Sequence, residues 1–600
     1  MPIFSDTQSH SRHAGRLQNL ASLFSLLFGL ALICNTHPLG DGQWFWYAKF
    51  FHRGTRLYAN LHLTLQPLFI LQTDWNMLLF GDGWLASKIP AVVQLIALIA
   101  GLRWLASYIP LPDWQNALLL LNAFCISTLF VAFRFDDYHV LTDCLEIVSI
   151  LVLIRLYFHH PPQSVINGSA SLLGLTSGLA ISNRLNDGGM LLLTVLFVLW
   201  VILPRGTLIA SSFFIFTALF TVVGIAWATG DTFADYASNS ILHAAGSKGG
   251  TGPVLLAPIL FPLKTLRQLL ISPRFVLALG TTGAVIASLI LLQKIRQKRK
   301  SDVSKPKIIL LFLPLIPLSL VVYKFTSELG NGVAGAWMLI GLFLGTWIVL
   351  RIIAVKFMRA APRWSPLEAL FLIPLGQLLS STMSSGGFFL TLLAPVGLFL
   401  LLLPLTSPIP IQKPWQKISV LVSAAAMLIS SVAFKSFTPF SWHTYIEPPL
   451  FTNRQWYRHP LYGPMYIETA SLNFVRPVCE AISGQNEKTE LLSLPFPYAN
   501  YFCGVAPWHG YVQTFFDIAS KNTMEHLMTE LEEKPPTWIL YQRQMETLWL
   551  HELFYNKGKP LVHRALDSQI MKKLASGQWR KDREWNSGTG ADWILIRTRS

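Results

Sequence analysis

Long stretches of this chain carry no charged residue. They include Leu20 to Cys34, Ile89 to Leu102, Asn116 to Phe133, Thr207 to Thr229 and Phe275 to Leu292. A bilayer core needs roughly 20 predominantly apolar residues per helix. Backbone in lipid must satisfy its own hydrogen bonds, and apolar runs of this length do so as helices. The chain therefore reads as a polytopic α-helical membrane protein. Composition agrees: 52% of the 600 residues are hydrophobic and only 13% are charged, too apolar for an ordinary soluble protein.

The formal charge of +16 arises from 47 basic and 31 acidic residues. Many of the bases sit between apolar runs, which suits membrane topology rather than a nucleic-acid face. The densest cluster, "QKIRQKRKSDVSKPK" at 293–307, reads as a cytoplasmic loop, as does "RIIAVKFMRAAPRW" from Arg351. The basic start, "SHSRHAGR", places the N-terminus in the cytoplasm, and the first span reads as a retained anchor rather than a cleaved signal.

About thirteen spans are expected, adding 138–157, 168–182, 189–203, 308–323, 333–350, 366–380, 387–403 and 418–434 to the runs above. Those at 168–182 and 189–203 look short enough to be tilted or broken. An odd count leaves the C-terminus outside and places the basic clusters inside. The expected layout is a transmembrane domain over 1–435, with long outer loops at 35–88 and 230–274. An extramembrane α/β domain over 436–600 follows it. In that second region "ELLSLPF", "TWILYQ" and "DWILIRT" read as strands, and "NTMEHLMTELEEK" as a helix capped by Asn522 with Glu525 three residues on. Cys479 and Cys503 both fall there, and an oxidising compartment permits them to pair. Cys34, Cys125 and Cys144 read as packing residues of the spans.

The stretch "DGQWFWYAKFFHRGTRLYANL" from Asp41 opens the first outer loop. Trp44, Tyr47, Ala48 and Phe51 recur at helical spacing, as an interfacial helix requires, with His52 and Arg53 toward water. Asp41 either caps that helix or serves chemistry at the membrane surface.

Asp41, Tyr47, Ala48, Gly54, Tyr58 and Pro67, followed by Phe80, Gly81, Lys88 and Pro90, together resemble the first outer loop and second span of GT-C glycosyltransferases, which use lipid-linked sugars. The likeness is to the branch of protein mannosyltransferases and of bacterial aminoarabinose and lipopolysaccharide sugar transferases. It covers the architecture of the whole chain and, motif by motif, about residues 35–190. Two positions depart from the pattern: Gly42 follows the acid where Glu is frequent, and Gln66 precedes the proline where Lys is frequent. Phosphate binding must then use other bases.

The resemblance implies transfer of a sugar from a polyprenyl-phosphate donor to a lipid, glycan or protein acceptor at the outer face of the plasma (inner) membrane. No nucleotide site or nucleic acid is involved. Asp41 is the expected general base. Asp136 and Asp137, in "FRFDDYHVLTDCLEI", lie on the same side and would position the acceptor or donor; their bland reading is a solvated turn. With His139 they also offer hard and imidazole ligands for a divalent metal. Asp143 and Glu146 follow on the same helix as candidates for the cavity wall. Arg184 is the first choice for the lipid phosphate, its bland reading being a snorkelling anchor. Tyr47, Arg53, Tyr58, His139 and Lys248 complete the expected substrate-binding set, with Lys248 in a glycine-rich loop expected to close over the donor. A transporter, or a non-catalytic envelope-assembly protein, is the alternative from another class. A transporter predicts charged residues at mid-span and two related halves.

Overall fold

The computed structural model describes residues 15–35, 39–109, 111–129, 133–203, 206–246, 366–383, 393–406, 431–442, 445–459, 462–483, 489–516, 518–586 and 592–598, with a few more near 252–267 and 424–429. The expected spans at 275–292, 308–323 and 333–350 lie outside the described residues, as does Lys248.

The helices begin with α1 (Arg16–Cys34), α2 (Leu39–His52), α3 (Leu68–Phe80), α4 (Trp84–Ser107) and α5 (Asp113–Thr128). They continue with α6 (Tyr138–His159), α7 (Gln163–Asn183), α8 (Leu185–Ile202) and α9 (Thr207–Ala228). Among the described residues, five helices are long and apolar enough to cross a membrane: α1, the 88–107 part of α4, α7, α8 and α9. The expectation that the segments at 168 and 189 are short is corrected, because α7 runs for 21 residues and α8 for 18. α9 carries an exposed apolar face. Leu208 is 84% exposed and Trp227 81% exposed, an apolar surface that water would not tolerate over such an area. Its other side lies tight on α7, where Gly174 leaves no room for a side chain beside the backbone of Phe214.

Beyond residue 440 the chain forms short hairpins and a mixed sheet. β1 (Ser441–Trp442) pairs β2 (Tyr445–Ile446), and β3 (Arg454–His459) pairs β4 (Gly463–Glu468). The sheet has the order β5-β6-β8-β7, from β5 (Leu491–Leu494), β6 (Trp538–Arg543), β7 (Arg580–Asn586) and β8 (Asp592–Arg597). β5 runs parallel to β6, and β8 is antiparallel to both β6 and β7. Strand periodicity divides its residues between two cores. Leu492, Ile539, Ile594 and Ile596 pack on the helices at 521–533 and 562–575. Leu491, Leu540, Trp593 and Leu595 join one cluster with Trp44, Phe45 and Tyr47 of the first outer loop. The helix at 521–533 is capped by Ser520, whose hydroxyl accepts from Thr523 N at 3.1 Å, not by Asn522. Cys479 and Cys503 form a disulfide between the helices at 469–483 and 498–503.

That shared cluster overturns the interfacial reading of α2. Trp44, Phe45, Trp46, Tyr47 and Ala48 are buried by protein, and Phe45 stacks edge-on against Tyr462 and Tyr501. The apolar face packs on the C-terminal region, through Tyr462 and the helix at 498–503, rather than on lipid. The exposed aromatic and aliphatic face of this loop belongs to α3, through Trp75, Leu78 and Leu79.

Candidate active site

The turn between α5 and α6 carries two adjacent carboxylates with opposite circumstances. Asp136 accepts two 2.9 Å bonds from the Arg134 guanidinium and is ion-paired with Lys88 from α4. Burial would raise its pKa, but Arg134 and Lys88 hold it below the usual carboxylate range. Asp137 starts α6 as its N-cap and accepts from Tyr138 N at 2.7 Å. Here burial prevails over that N–H and over the nearby arginines, and pushes the carboxyl up to about 7. One acid is a fixed anion; the other gains and loses its proton near neutral pH.

Arg184 is the single residue between α7 and α8. The fold-back is possible because Gly188, one turn on, lies against the backbone of Ile181 with no space for a side chain. Arg184 Nη1 donates to His139 Nδ1 at 3.1 Å and to Asp187 Oδ2 at 2.5 Å. With Nδ1 accepting, the His139 proton belongs on Nε2, which lies 3.9 Å from Asp137 Oδ2. Asn183 locks the two elements by donating to Tyr138 O at 2.7 Å and Thr142 Oγ1 at 2.9 Å. Deeper along α6, Glu146 is fully buried with both carboxylate oxygens lacking a hydrogen-bond partner, and Asp143 Oδ2 lacks one too. Among the described residues, no three His, Cys, Asp or Glu side chains are arranged to hold a metal ion.

The structure thus brings Asp136, Asp137, His139 and Arg184 together. Asp41 lies in the first turn of α2, which begins two residues before it, so Asp41 is not the N-cap; its side chain lies outside the described residues. Tyr47 is buried in the cluster that joins α2 to the sheet. Tyr58 is also fully buried; its hydroxyl donates to Leu65 O at 3.0 Å and its N–H to Asp231 Oδ2 at 3.2 Å. Arg53 is exposed at the end of α2. Of the other first-loop bases, Lys49 pairs with Asp82 and His52 with Asp74. The described part of the second long loop is fastened to the first: Asp231 also accepts from Ala59 N at 2.9 Å, and Tyr236 donates to Gln66 at 2.6 Å. Sequence reasoning passed over Arg134, Asp187 and Asp231. Arg134 lay within the quoted motif, and its spacing of two from Asp136 was the available signal.

Beside this cluster a pocket opens between α2, α3 and α4. Trp44, Phe45, Phe69 and Tyr501 form its aromatic wall, and Gln72, Asn76 and Gln94 bring amides to it. Asp136 sits on its lining.

Several solved structures align with nearly the whole of this chain, at low sequence identity. ArnT from Cupriavidus metallidurans, solved bound to undecaprenyl phosphate, aligns with 97% of this chain and 98% of its own, at 11% identity and a TM-score of 0.43. The oligosaccharyltransferase AglB from Archaeoglobus fulgidus, solved with an inhibitory peptide and a dolichol-phosphate, aligns with 91% of this chain and 71% of its own, at 11% identity and a TM-score of 0.46. The arabinofuranosyltransferase AftD from Mycobacteria aligns with 98% of this chain but 40% of its own, at 12% identity and a TM-score of 0.40. No protein-family model matches the sequence, and no curated protein does.

Proposed function

We propose that this protein is an inverting glycosyltransferase that moves a sugar from a polyprenyl-phosphate carrier to an acceptor at the outer face of the plasma membrane. The observation that carries the reading is the meeting of Asp137, His139 and Arg184 at adjoining helix ends. A cation suited to a phosphate and a carboxyl that titrates near pH 7 share one site.

The chemistry follows from the groups. The acceptor hydroxyl oxygen attacks the anomeric carbon, and the bond from that carbon to the phosphate oxygen breaks. The phosphate departs with the electron pair, and the hydroxyl proton passes to a carboxylate. Asp41 is the base in this reading, with Asp137 orienting the acceptor. Arg184 answers the charge growing on the leaving phosphate, as Arg does best with planar, paired donors. The N-terminus is cytoplasmic, and the region beyond 436, which shares its core with the first outer loop, lies outside, where its disulfide is compatible with oxidising conditions.

The test is transfer of radiolabelled sugar from polyprenyl-phosphate donors by purified protein in proteoliposomes. Transfer that requires the lipid-linked donor supports the reading. Transport of free sugar without bond cleavage, or no transfer from any lipid-linked donor, removes it.

A further inference from the structure

The hairpin of β3 and β4 is tied to the membrane helices at both of its ends. Arg454, which opens β3, donates from Nη1 to Asn35 O at 2.9 Å. Asn35 directly follows the last residue of α1, a helix long and apolar enough to cross a bilayer. Leu450, just before the strand, packs on the cluster that contains Phe28, Leu32 and Ile33 of α1. At the turn of the hairpin, Gly83, which precedes α4, leaves no room for a side chain beside Tyr462 O. The hairpin therefore lies across the neighbouring ends of two membrane helices, at the level where both leave the hydrocarbon.

Strand periodicity fixes which side chains it presents there. His459, Met465 and Ile467 point into protein and are buried. Arg454, Trp456 and Arg458 take the opposite face, with Tyr466 across the ladder from Trp456. Arg454 reaches α1 from that face, so the face is turned toward the helix ends. The rings of Trp456 and Tyr466 lie 5.3 Å apart, yet Trp456 remains 68% exposed. Phe451, next to Leu450, is 83% exposed, and Arg458 is exposed as well. Below them α1 continues the surface with exposed Leu20, Leu23 and Leu27. Trp and Tyr favour the membrane–water boundary, where an amphipathic ring is half in hydrocarbon and half among headgroups. An arginine beside them is at the height of the lipid phosphates, to which its planar donors are suited.

We infer that this face of the β3–β4 hairpin, together with Phe451, rests on the phospholipid surface, with both rings at headgroup level. The contact holds the C-terminal region against the bilayer at the point where Tyr462 packs on Phe45 of α2. It depends on the membrane architecture and not on the transferase reading.

The experiment is site-directed spin labelling of the full-length protein in nanodiscs of mixed phosphatidylcholine and phosphatidylglycerol. Cys34, Cys125 and Cys144 are replaced by Ala and the disulfide is kept. Nitroxides are placed singly through Phe451→Cys and Trp456→Cys, with Gln455→Cys, on the other face of β3, as the comparison. Power saturation then measures collision with oxygen, which concentrates in lipid, and with a nickel chelate, which stays in water. The labels at 451 and 456 are expected to favour oxygen several-fold over the chelate, and the label at 455 to show the reverse. Two independent sites guard against a local fault in either, and thermal unfolding checks each variant's fold. Chelate access at 451 and 456 equal to that at 455 overturns the inference. So does shielding of both labels from both reagents, which would mean that protein, from this chain or a second copy, covers the face.

Discussion

Arg184 and His139 stand 45 positions apart in sequence and meet at 3.1 Å, the guanidinium donating to Nδ1. This contact binds the α7–α8 turn to the start of α6. It makes one site of residues that three helices contribute, and it sets which imidazole nitrogen carries the proton.

Arg184→Gln should lower the transfer rate by about 10²–10³, the usual loss when a charge-stabilising donor is removed. Arg184→Lys should recover only part of it, since an ammonium cannot reproduce the planar fork. Steady-state kinetics over a range of donor concentrations will measure both. Wild-type kinetics in the Gln variant would assign Arg184 to anchoring alone.

Asp137 gives a pH signature with a defined sign. Its carboxyl titrates at about 7 in the folded protein, raised from 3.8 by burial. Between those values the folded state holds a proton that the unfolded state has lost. Stability therefore falls as pH rises through that window. Asp137→Asn keeps the α6 cap, as Asn caps about as well as Asp, and should flatten this fall. Thermal unfolding of the two proteins at pH 5 and pH 7.5 will show it; parallel profiles would contradict the shift.

Asp41→Asn separates chemistry from helix support. Asp41 sits inside the first turn of α2, so losing its charge should cost only about 0.3–1 kcal/mol of helix-dipole stabilisation. If it is the base, transfer should fall by about 10²–10⁴ with expression and donor binding kept. Near-normal turnover would leave Asp41 a structural role only.

Asp136→Asn should damage the fold first. It would leave Lys88 and Arg134, whose side chains are 5% and 4% exposed, without their anion. Removing one partner of a buried pair costs about 3–5 kcal/mol. A large drop in melting temperature is expected, read by fluorescence-detected unfolding. A stable variant that is merely inactive would move Asp136 from the frame into the reaction.

The Cys479–Cys503 disulfide closes a loop with a sequence separation of 24. On the chain-entropy account its loss should cost about 3 kcal/mol. Unfolding of a double Cys→Ser variant would measure this, and mass spectrometry without reduction should find no free thiol at either position in the native protein.

The sequence by itself determined what depends on local pattern. Uncharged runs such as 207–229 declared membrane helices, because the bilayer sets both length and polarity. β5, β6 and β8 were legible because short apolar and β-branched runs bounded by turn residues suit a covered strand. The acids at 136 and 137 and the base at 184 stood out because charge at a helix mouth is costly and hence scarce. Tertiary structure decided the rest. The aromatic face of α2 has the same spacing whether lipid or protein covers it, and only the packing of Tyr462 and Tyr501 against Phe45 settled that. Asp136 and Asp137 were equivalent as letters. Lys88, 48 positions away, took Asp136 into an ion pair. Asp137 was left to bear its burial, and with it a proton that moves near neutral pH. Spatial partners set the energy of a charge, and sequence spacing does not record them.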